Sequence, residues 1–169
     1  MSRQDWRTPP SVFHRLEEKW GPFDLDAATD GMRNSMCLQW RTPADGPPSS
    51  HRWDGNVFVN PPFADIGPWV SRAIIHPGTV VMLAPAQPCS AWFRYAIMFS
   101  ALLIPDRRIH FWHPNEEPGS PDRDTVIFVF GVGSNVVHEL RIPDHTEEVR
   151  RLHQESSGQI CLPTGALDV

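Results

Sequence analysis

The sequence predicts an α/β protein with a mostly parallel sheet and an antiparallel hairpin in its C-terminal half. Early apolar runs alternate with segments of helical period, and late apolar runs follow one another directly. The chain has 169 residues, of which 40% are hydrophobic and 21% charged, a composition typical of a globular protein with a proper core. We expect one domain over residues 1–155 and a loosely ordered tail over 156–169.

Helices and strands alternate in the first part of the chain. Val12, Phe13, Leu16 and Trp20 recur at helical spacing, and Thr8 is suited to cap that helix. Gly21-Pro22 then ends it. The expected elements are a helix over 8–20, a strand over 23–27, a helical turn over 28–35, a strand over 36–40, a loop over 41–55 and a strand over 56–59.

The second part of the chain is expected to hold two helices and a series of strands. Trp69, Val70, Ala73 and Ile74 share one helical face. The expected elements are helices over 66–75 and 90–99, strands over 79–84, 101–104, 109–112, 126–130 and 136–140, a polar loop over 113–123, and a weaker helix over 144–154.

Composition also excludes several classes of protein. The formal net charge of −5 argues against tight, non-specific nucleic-acid binding, although it allows a small basic face. No apolar run approaches the roughly 20 residues of a membrane span, and the N-terminus lacks the apolar region of a signal peptide. The three cysteines are odd in number and widely spaced, which favours reduced thiols. The histidines show no metal-ligand spacing, so we expect no metal.

The stretch VFVNPPFADIGPWV, residues 57–70, carries the clearest chemical signal. An apolar strand ends at Asn60, because the prolines that follow cannot donate to a sheet ladder. Asn60, Pro61, Pro62 and Phe63 are therefore expected at the carboxyl edge of the sheet, where open α/β sheets bind ligands.

These four residues can activate a poorly nucleophilic amino group. The Asn60 amide oxygen and the Pro61 carbonyl can accept both hydrogens of one amine. Two fixed acceptors favour the pyramidal amine and stabilise the charge that develops on its nitrogen during attack. The Phe63 ring can stack on the planar group that carries the amine. A strand-ending turn with a capping amide is the structural alternative.

Asn60-Pro61-Pro62-Phe63 matches the (D/N/S)-P-P-(Y/F/W) signature of amino-group methyltransferases that use S-adenosylmethionine. The order of the other motifs is similar to that of the phage-type DNA N-6-adenine methyltransferase (Dam) family, over residues 5–130. Those motifs are Asp5-Trp6-Arg7-Thr8-Pro9, Phe23-Asp24-Leu25-Asp26-Ala27-Ala28, Asn34, Trp53, the run from Val81 to Ala86, Trp92-Phe93 and the run from Arg108 to Phe111.

The resemblance implies a class I Rossmann-like methyltransferase fold that binds S-adenosylmethionine. Thr8 and Pro9 would meet the methionine carboxylate of the cofactor at a helix start. Asp26 would meet its ammonium group beside Ala27, with Asp24 as the alternative on the same strand face. Other implied cofactor contacts are Asn34 and Trp6. Trp6 and Trp53 would border the cofactor, with core packing as the alternative.

The substrate contacts implied by the resemblance are fewer. Phe63 would stack on a flipped-out base, and Arg108 would touch a phosphate or a base, a solvated edge charge being the alternative. The segment from His113 to Pro118 is either a lid or an ordinary loop. Two departures are that no glycine follows the first strand until Gly31, and that phenylalanine stands at 63 where tyrosine is commoner.

The resemblance therefore implies DNA adenine-N6 methylation in a bacterial host cytoplasm, by a phage or prophage protein. DNA would bind through a weak or locally basic surface, with the oligomeric state left open. The same acceptor geometry also suits cytosine N4, RNA or a protein amide. A third possibility is a catalytically inactive binding module that kept the methyltransferase fold.

Overall fold

The protein, described by a computed structural model over residues 6–31, 35–113, 116–119, 124–133 and 136–156, alternates helices and strands in its first part. The helices are α1 (Pro10–Trp20), α2 (Gly67–Ile74), α3 (Ala91–Phe99) and α4 (Thr146–Ser156). The strands are β1 (Leu25–Asp26), β2 (Gln39–Trp40), β3 (Val57–Val59), β4 (Val80–Pro85), β5 (Ser100–Pro105), β6 (Phe111–His113), β7 (Glu116–Gly119), β8 (Thr125–Phe130) and β9 (Val136–Leu140).

Seven strands form one sheet in the order β2-β1-β3-β4-β8-β5-β9. The pairs from β2 through β4 are parallel, as is the pair of β5 with β9. Strand β8 is antiparallel to both β4 and β5, so β4 and β5 run in the same direction. The expected α/β architecture with a mostly parallel sheet is confirmed.

The antiparallel strand lies in a different place from the one predicted. We expected it in a hairpin at one edge, whereas β8 lies inside the sheet between β4 and β5. All six residues of β8 are buried, and a strand that is buried on both faces is stable only in the interior of a covered sheet. The edge strand on that side of the sheet is β9, which is exposed at its first four positions. A separate hairpin, β6–β7, forms a two-stranded sheet of its own.

Alternating strand residues build an apolar layer on each face of the sheet. One layer includes Val57, Met82 and Phe128 and packs against α2 and α3. The other includes Phe58, Val81 and the buried residues of α1. Because both faces are covered by helices, the carboxyl edge of the sheet is the natural place for a ligand.

Several local expectations differ from the structure. Helix α1 has Pro9 rather than Thr8 as its N-cap and makes no side-chain cap bond. In the stretch 28–35, where a helical turn was expected, the structure has bends within 28–31 and a hydrogen bond from the N–H of Ser35 to Gly31 O at 3.2 Å, and residues 32–34 lie outside the described ranges. The expected loop over 41–55 contains two single turns of 3-10 helix, Pro43–Asp45 and Pro48–Ser50. The expected tail over 156–169 lies outside the described residues, apart from Ser156 at the end of α4. Across the described ranges, no helix is long and apolar enough to cross a bilayer.

Substitution of Phe128 would test the packing of the apolar layer that faces α2 and α3. Its side chain is fully buried and meets the rings of Trp92 and Phe93, with centroids 6.3 and 5.1 Å away. We expect Phe128→Ala to lower the free energy of unfolding by about 3–5 kcal/mol in urea denaturation, from lost burial and the cavity left behind. Phe99→Ala is the matched control, because Phe99 is 43% exposed. An equal loss in both variants would contradict this account of the core.

Candidate functional site

Asp26 and Asn60 lie at the point where the order of the strands in the sheet reverses. Strand β1 has β2 on one side and β3 on the other, so successive connections leave it in opposite directions. Such a switch point opens a crevice at the carboxyl ends of the two central strands. Asp26 ends β1 opposite Phe58, and Asn60 directly follows β3. Both side chains therefore reach the same edge of the sheet.

A cavity of about 680 Å³ occupies this crevice. Its volume lies within the usual range of small-molecule and cofactor sites. Three stretches contribute most of its wall: residues 6–8, residues 26–30, and the proline-rich loop over 42–48. The rest of the wall is formed by Met36, Phe58, Asn60, Pro62, Asp65, Pro68 and Trp69.

The orientation of the Asn60 amide is fixed by its hydrogen bond. Its Nδ2 donates to the main-chain carbonyl oxygen of Trp6 at 2.9 Å. Because a carbonyl only accepts hydrogen bonds, the NH₂ group must face Trp6. The Asn60 Oδ1 therefore lies on the opposite side of the amide group, with its acceptor capacity available for a ligand.

Asp26 is a buried carboxyl group in the cavity wall, only 4% exposed. Burial raises its pKa from 3.8 to about 7, although hydrogen bonds from the main-chain N–H groups of Ala28 and Met36 act in the opposite direction. The nearby charge of Asp30 raises the pKa further. A cationic ligand group would reverse this effect by favouring the ionised form. Ala27, the next residue, also lines the cavity.

The alternative carboxylate, Asp24, lies elsewhere. It is exposed, is absent from the cavity wall, and its Oδ2 accepts the main-chain N–H of Asn56 at 2.8 Å. The geometry therefore places Asp26, and not Asp24, in the wall of the cavity that Asn60 also lines.

The segment before α1 forms another part of the cavity wall. Thr8 Oγ1 and Arg7 Nε are buried and have no hydrogen-bond partner among the described residues. The Arg7 guanidinium pairs with Asp30 at 2.8 Å and lies over the Trp112 ring, 4.7 Å from its centroid. The segment thus carries two buried, unpaired hydrogen-bonding groups in the wall of the cavity, and the positive charge of Arg7 is balanced by Asp30.

Several predicted site residues do not line this cavity. Pro61 and Pro9 are buried beside it, and Phe63 packs edge-on against Phe111, with centroids 6.2 Å apart. Arg108 lies farther away, where its Nε and Nη2 donate to Asp124 at 3.0 and 2.8 Å. Trp53 is a core residue, only 3% exposed. Asn34 lies outside the described residues, and so do Pro114 and Asn115 of the possible lid.

Other residues of the cavity wall were not predicted. Arg7 stands beside the predicted Thr8, so the sequence offered a hint, but its partners Asp30 and Trp112 are distant in the chain. Trp69 lines the cavity, although its helical spacing indicated only a buried face. The loop over 42–48 carries Gly46 at φ 101°, where an added Cβ would lie 2.9 Å from Ser50 Oγ. Glycine at this position, the prolines of the loop and the capping box of Thr42 with Asp45 indicate that the loop follows a fixed path.

Comparisons with known proteins identify the family of this chain. A family model described as DNA N-6-adenine-methyltransferase (Dam) matches residues 1–130 of the chain. The DNA N-6-adenine-methyltransferase of Escherichia phage T1 is 33% identical over 108 residues, which are 60% of this chain and 44% of that protein. This chain therefore spans less than half of the phage relative.

Two further proteins are similar over shorter or more divergent regions. A candidate methyltransferase of Escherichia coli strain K12, YfdM, is 37% identical over 71 residues, or 38% of this chain and 71% of that protein. The crystal structure of a predicted O-methyltransferase from Agrobacterium tumefaciens gives a TM-score of 0.31 at 13% identity, covering 58% of this chain and 51% of that chain. Since the family model covers 130 of the 169 residues, the chain belongs to the DNA N-6-adenine-methyltransferase (Dam) family.

Proposed function

We propose that this protein transfers a methyl group from S-adenosylmethionine to the N6 amino group of adenine in DNA. Family membership supports the reaction class. The observation that carries the proposal to this chain is that Asn60 of the NPPF motif and the buried Asp26 line one cavity at the switch point of the sheet. The two relatives found by sequence come from a coliphage and from Escherichia coli, which supports the cytoplasm of a bacterial host as the setting.

Asn60 is the residue we assign to the reacting amine. Its Oδ1 would accept one hydrogen of the amino group, since its Nδ2 is already bound to Trp6 O. The Pro61 carbonyl would accept the other hydrogen, and the Phe63 ring would stack on a flipped-out base. Acceptors fixed before the reaction stabilise the positive charge that develops on the attacking nitrogen. A water molecule would carry the lost proton away.

The residues of the cavity also suit the cofactor. Asp26 supplies a buried carboxylate for an ammonium group, and the unpaired Thr8 Oγ1 can donate to a carboxylate. Arg7, whose charge is balanced by Asp30, lies in the same wall, and Met36 and Trp69 offer apolar surface. When bound, S-adenosylmethionine supplies the electrophilic methyl group. We assign Trp6, Pro9, Ala27 and Asn34 to the same cofactor site, and Arg108 to the DNA.

The direct test is transfer of labelled methyl from S-adenosylmethionine to unmethylated DNA, followed by digestion and separation of the nucleosides. We expect the label in N6-methyladenine. Label in N4-methylcytosine would support the same transfer of a methyl group to an amine, with cytosine as the target base in place of adenine. Cofactor binding without label in any nucleoside would refute DNA as the substrate, and absence of cofactor binding would favour an inactive methyltransferase fold.

Thr8 gives a test of the cofactor site that does not require DNA. Thr8→Val keeps the shape of the side chain and removes a buried hydroxyl that has no partner among the described residues. We expect the free protein to gain about 1 kcal/mol of unfolding free energy, while affinity for S-adenosylhomocysteine falls about tenfold. Thermal denaturation and calorimetric titration would measure the two effects. A variant that loses stability and keeps its affinity would contradict a ligand role for Thr8.

A further inference from the structure

We propose that one peptide group, the link between Trp6 and Arg7, positions the Asn60 amide, and that Arg7 and Trp112 hold that peptide in place. The inference rests on the role of Asn60 in the proposed function. It gives strand β6, which lies outside the seven-stranded sheet, an indirect role in methyl transfer. It also predicts that aspartate at position 60, although it satisfies the same family signature, fails in this chain.

One rigid peptide group, the link between Trp6 and Arg7, makes two hydrogen bonds. The carbonyl of Trp6 accepts from Asn60 Nδ2 at 2.9 Å, and the N–H of Arg7 donates to Trp112 O at 2.8 Å. These two groups belong to the same peptide bond, which is planar and does not rotate freely. Fixing the N–H on β6 therefore also fixes the direction of the carbonyl. An amide whose N–H is hydrogen-bonded also becomes a better acceptor at its oxygen.

Further contacts hold this peptide against β6. Trp112 N–H donates back to Arg7 O at 3.1 Å, which completes an isolated antiparallel bridge. The Arg7 guanidinium lies 4.7 Å from the centroid of the Trp112 ring and pairs with Asp30. The Trp6 ring packs against His113, with centroids 5.7 Å apart. The short N-terminal segment is thus tied at two successive residues to one strand.

The carbonyl oxygen of Trp6 requires a hydrogen-bond donor as its partner. An amide presents two hydrogen-bond donors to it, whereas an ionised carboxylate presents none and would be repelled. A protonated carboxyl group can again donate, through its hydroxyl. Asn60→Asp should therefore restore the hydrogen bond only at low pH, and the methyl-transfer rate of that variant should depend on pH in a way that the wild-type amide cannot.

The first experiment compares single-turnover rates of Asn60→Asp and wild type from pH 8 to pH 5.5, at saturating cofactor. The charged groups that line the same cavity are Arg7, Asp26, Asp30 and Asp65, and His113 packs on Trp6. Wild type and variant share these groups, so the ratio of the two rates isolates position 60. We expect the ratio to rise about tenfold for each unit by which the pH falls toward the pKa of the introduced carboxyl group. A ratio that stays constant, whether high or low, would overturn the proposal.

Asn56 provides the matched control, because its Nδ2 donates to Pro22 O at 3.1 Å at the other end of β3. Asn56→Asp makes the same chemical change outside the cavity. We expect its rate relative to wild type to be independent of pH.

The second experiment needs no catalysis. In amide NMR spectra, the Asn60 Nδ2 protons should exchange slowly in wild type and in Trp112→Phe, which keeps a ring beneath Arg7. Trp112→Ala should speed this exchange and slow methyl transfer about tenfold, while affinity for S-adenosylhomocysteine stays within a factor of about three, since Trp112 does not line the cavity. Unchanged exchange in Trp112→Ala would refute the positioning role. If wild type methylates no DNA, the proposed function fails and the exchange measurement still decides this inference.

Discussion

Asn60→Ala is expected to slow methyl transfer by about 10²–10³-fold, while affinity for S-adenosylhomocysteine changes by less than a factor of about three. The substitution removes Oδ1, the acceptor that we assign to the adenine amino group. It also removes the hydrogen bond to Trp6 O. The acceptor matters most when positive charge develops on the attacking nitrogen, so the loss should appear in the rate of the chemical step.

Single-turnover measurements with excess enzyme separate this rate from binding and product release. Asn56→Ala is the matched control, because Asn56 is an asparagine at the opposite end of the same strand and is absent from the cavity wall. We expect its rate to remain within about twofold of wild type. If Asn60→Ala weakened cofactor binding and left the rate of the chemical step unchanged, the proposed role of Asn60 would be wrong.

The position of Asn60 could be predicted from the sequence alone, because a short apolar strand stops there, whereas the place of Asp26 was implied by the resemblance to the Dam family. Parallel strands share a carboxyl edge, so the two side chains were expected at the same edge of the sheet. Pro61 and Pro62 predicted the end of β3, since proline cannot continue a sheet ladder. The choice between Asp24 and Asp26 needed the structure, because strand period places both on one face.

The remaining wall of the cavity depends on contacts between distant parts of the chain. Nothing local to Arg7 indicates that it would pair with Asp30 and stack on Trp112. The apolar run over 126–130 in β8 indicated a buried strand but not its place between β4 and β5. Thr8 was expected to cap α1, but the helix begins at Pro10 with Pro9 as its N-cap, which leaves the Thr8 hydroxyl buried in the cavity wall with no partner among the described residues.

Asp26→Asn is expected to weaken S-adenosylhomocysteine binding at pH 8 by about 100-fold, roughly 2.7 kcal/mol. At that pH the carboxyl group, with its pKa raised to about 7 by burial, is mostly ionised and can pair with an ammonium group. Asparagine offers a neutral oxygen in its place. Calorimetric titration of wild type and variant would measure the difference, and equal affinities would show that Asp26 does not contact the ligand.

The same carboxyl group predicts a pH dependence of binding. Wild-type affinity should fall about tenfold for each pH unit below 7, because the protonated form has no charge to offer and the ligand's ammonium group does not titrate in this range. Asp26→Asn should show no such dependence. A wild-type affinity that is constant from pH 8 to pH 5.5 would contradict a pairing of Asp26 with an ammonium group.

Stability should change in the opposite sense to binding. The folded pKa of Asp26 is raised from 3.8 to about 7, so between about pH 4 and pH 7 the folded protein holds a proton that the unfolded chain has lost. The contribution of Asp26 to stability is therefore greatest below pH 4 and is lost as the pH rises through 7. At pH 8, Asp26→Asn removes a buried charge, and we expect the free variant to melt at a higher temperature than wild type. A residue that lowers stability in the free protein and strengthens ligand binding is retained for its function, and a structural aspartate would not show both effects.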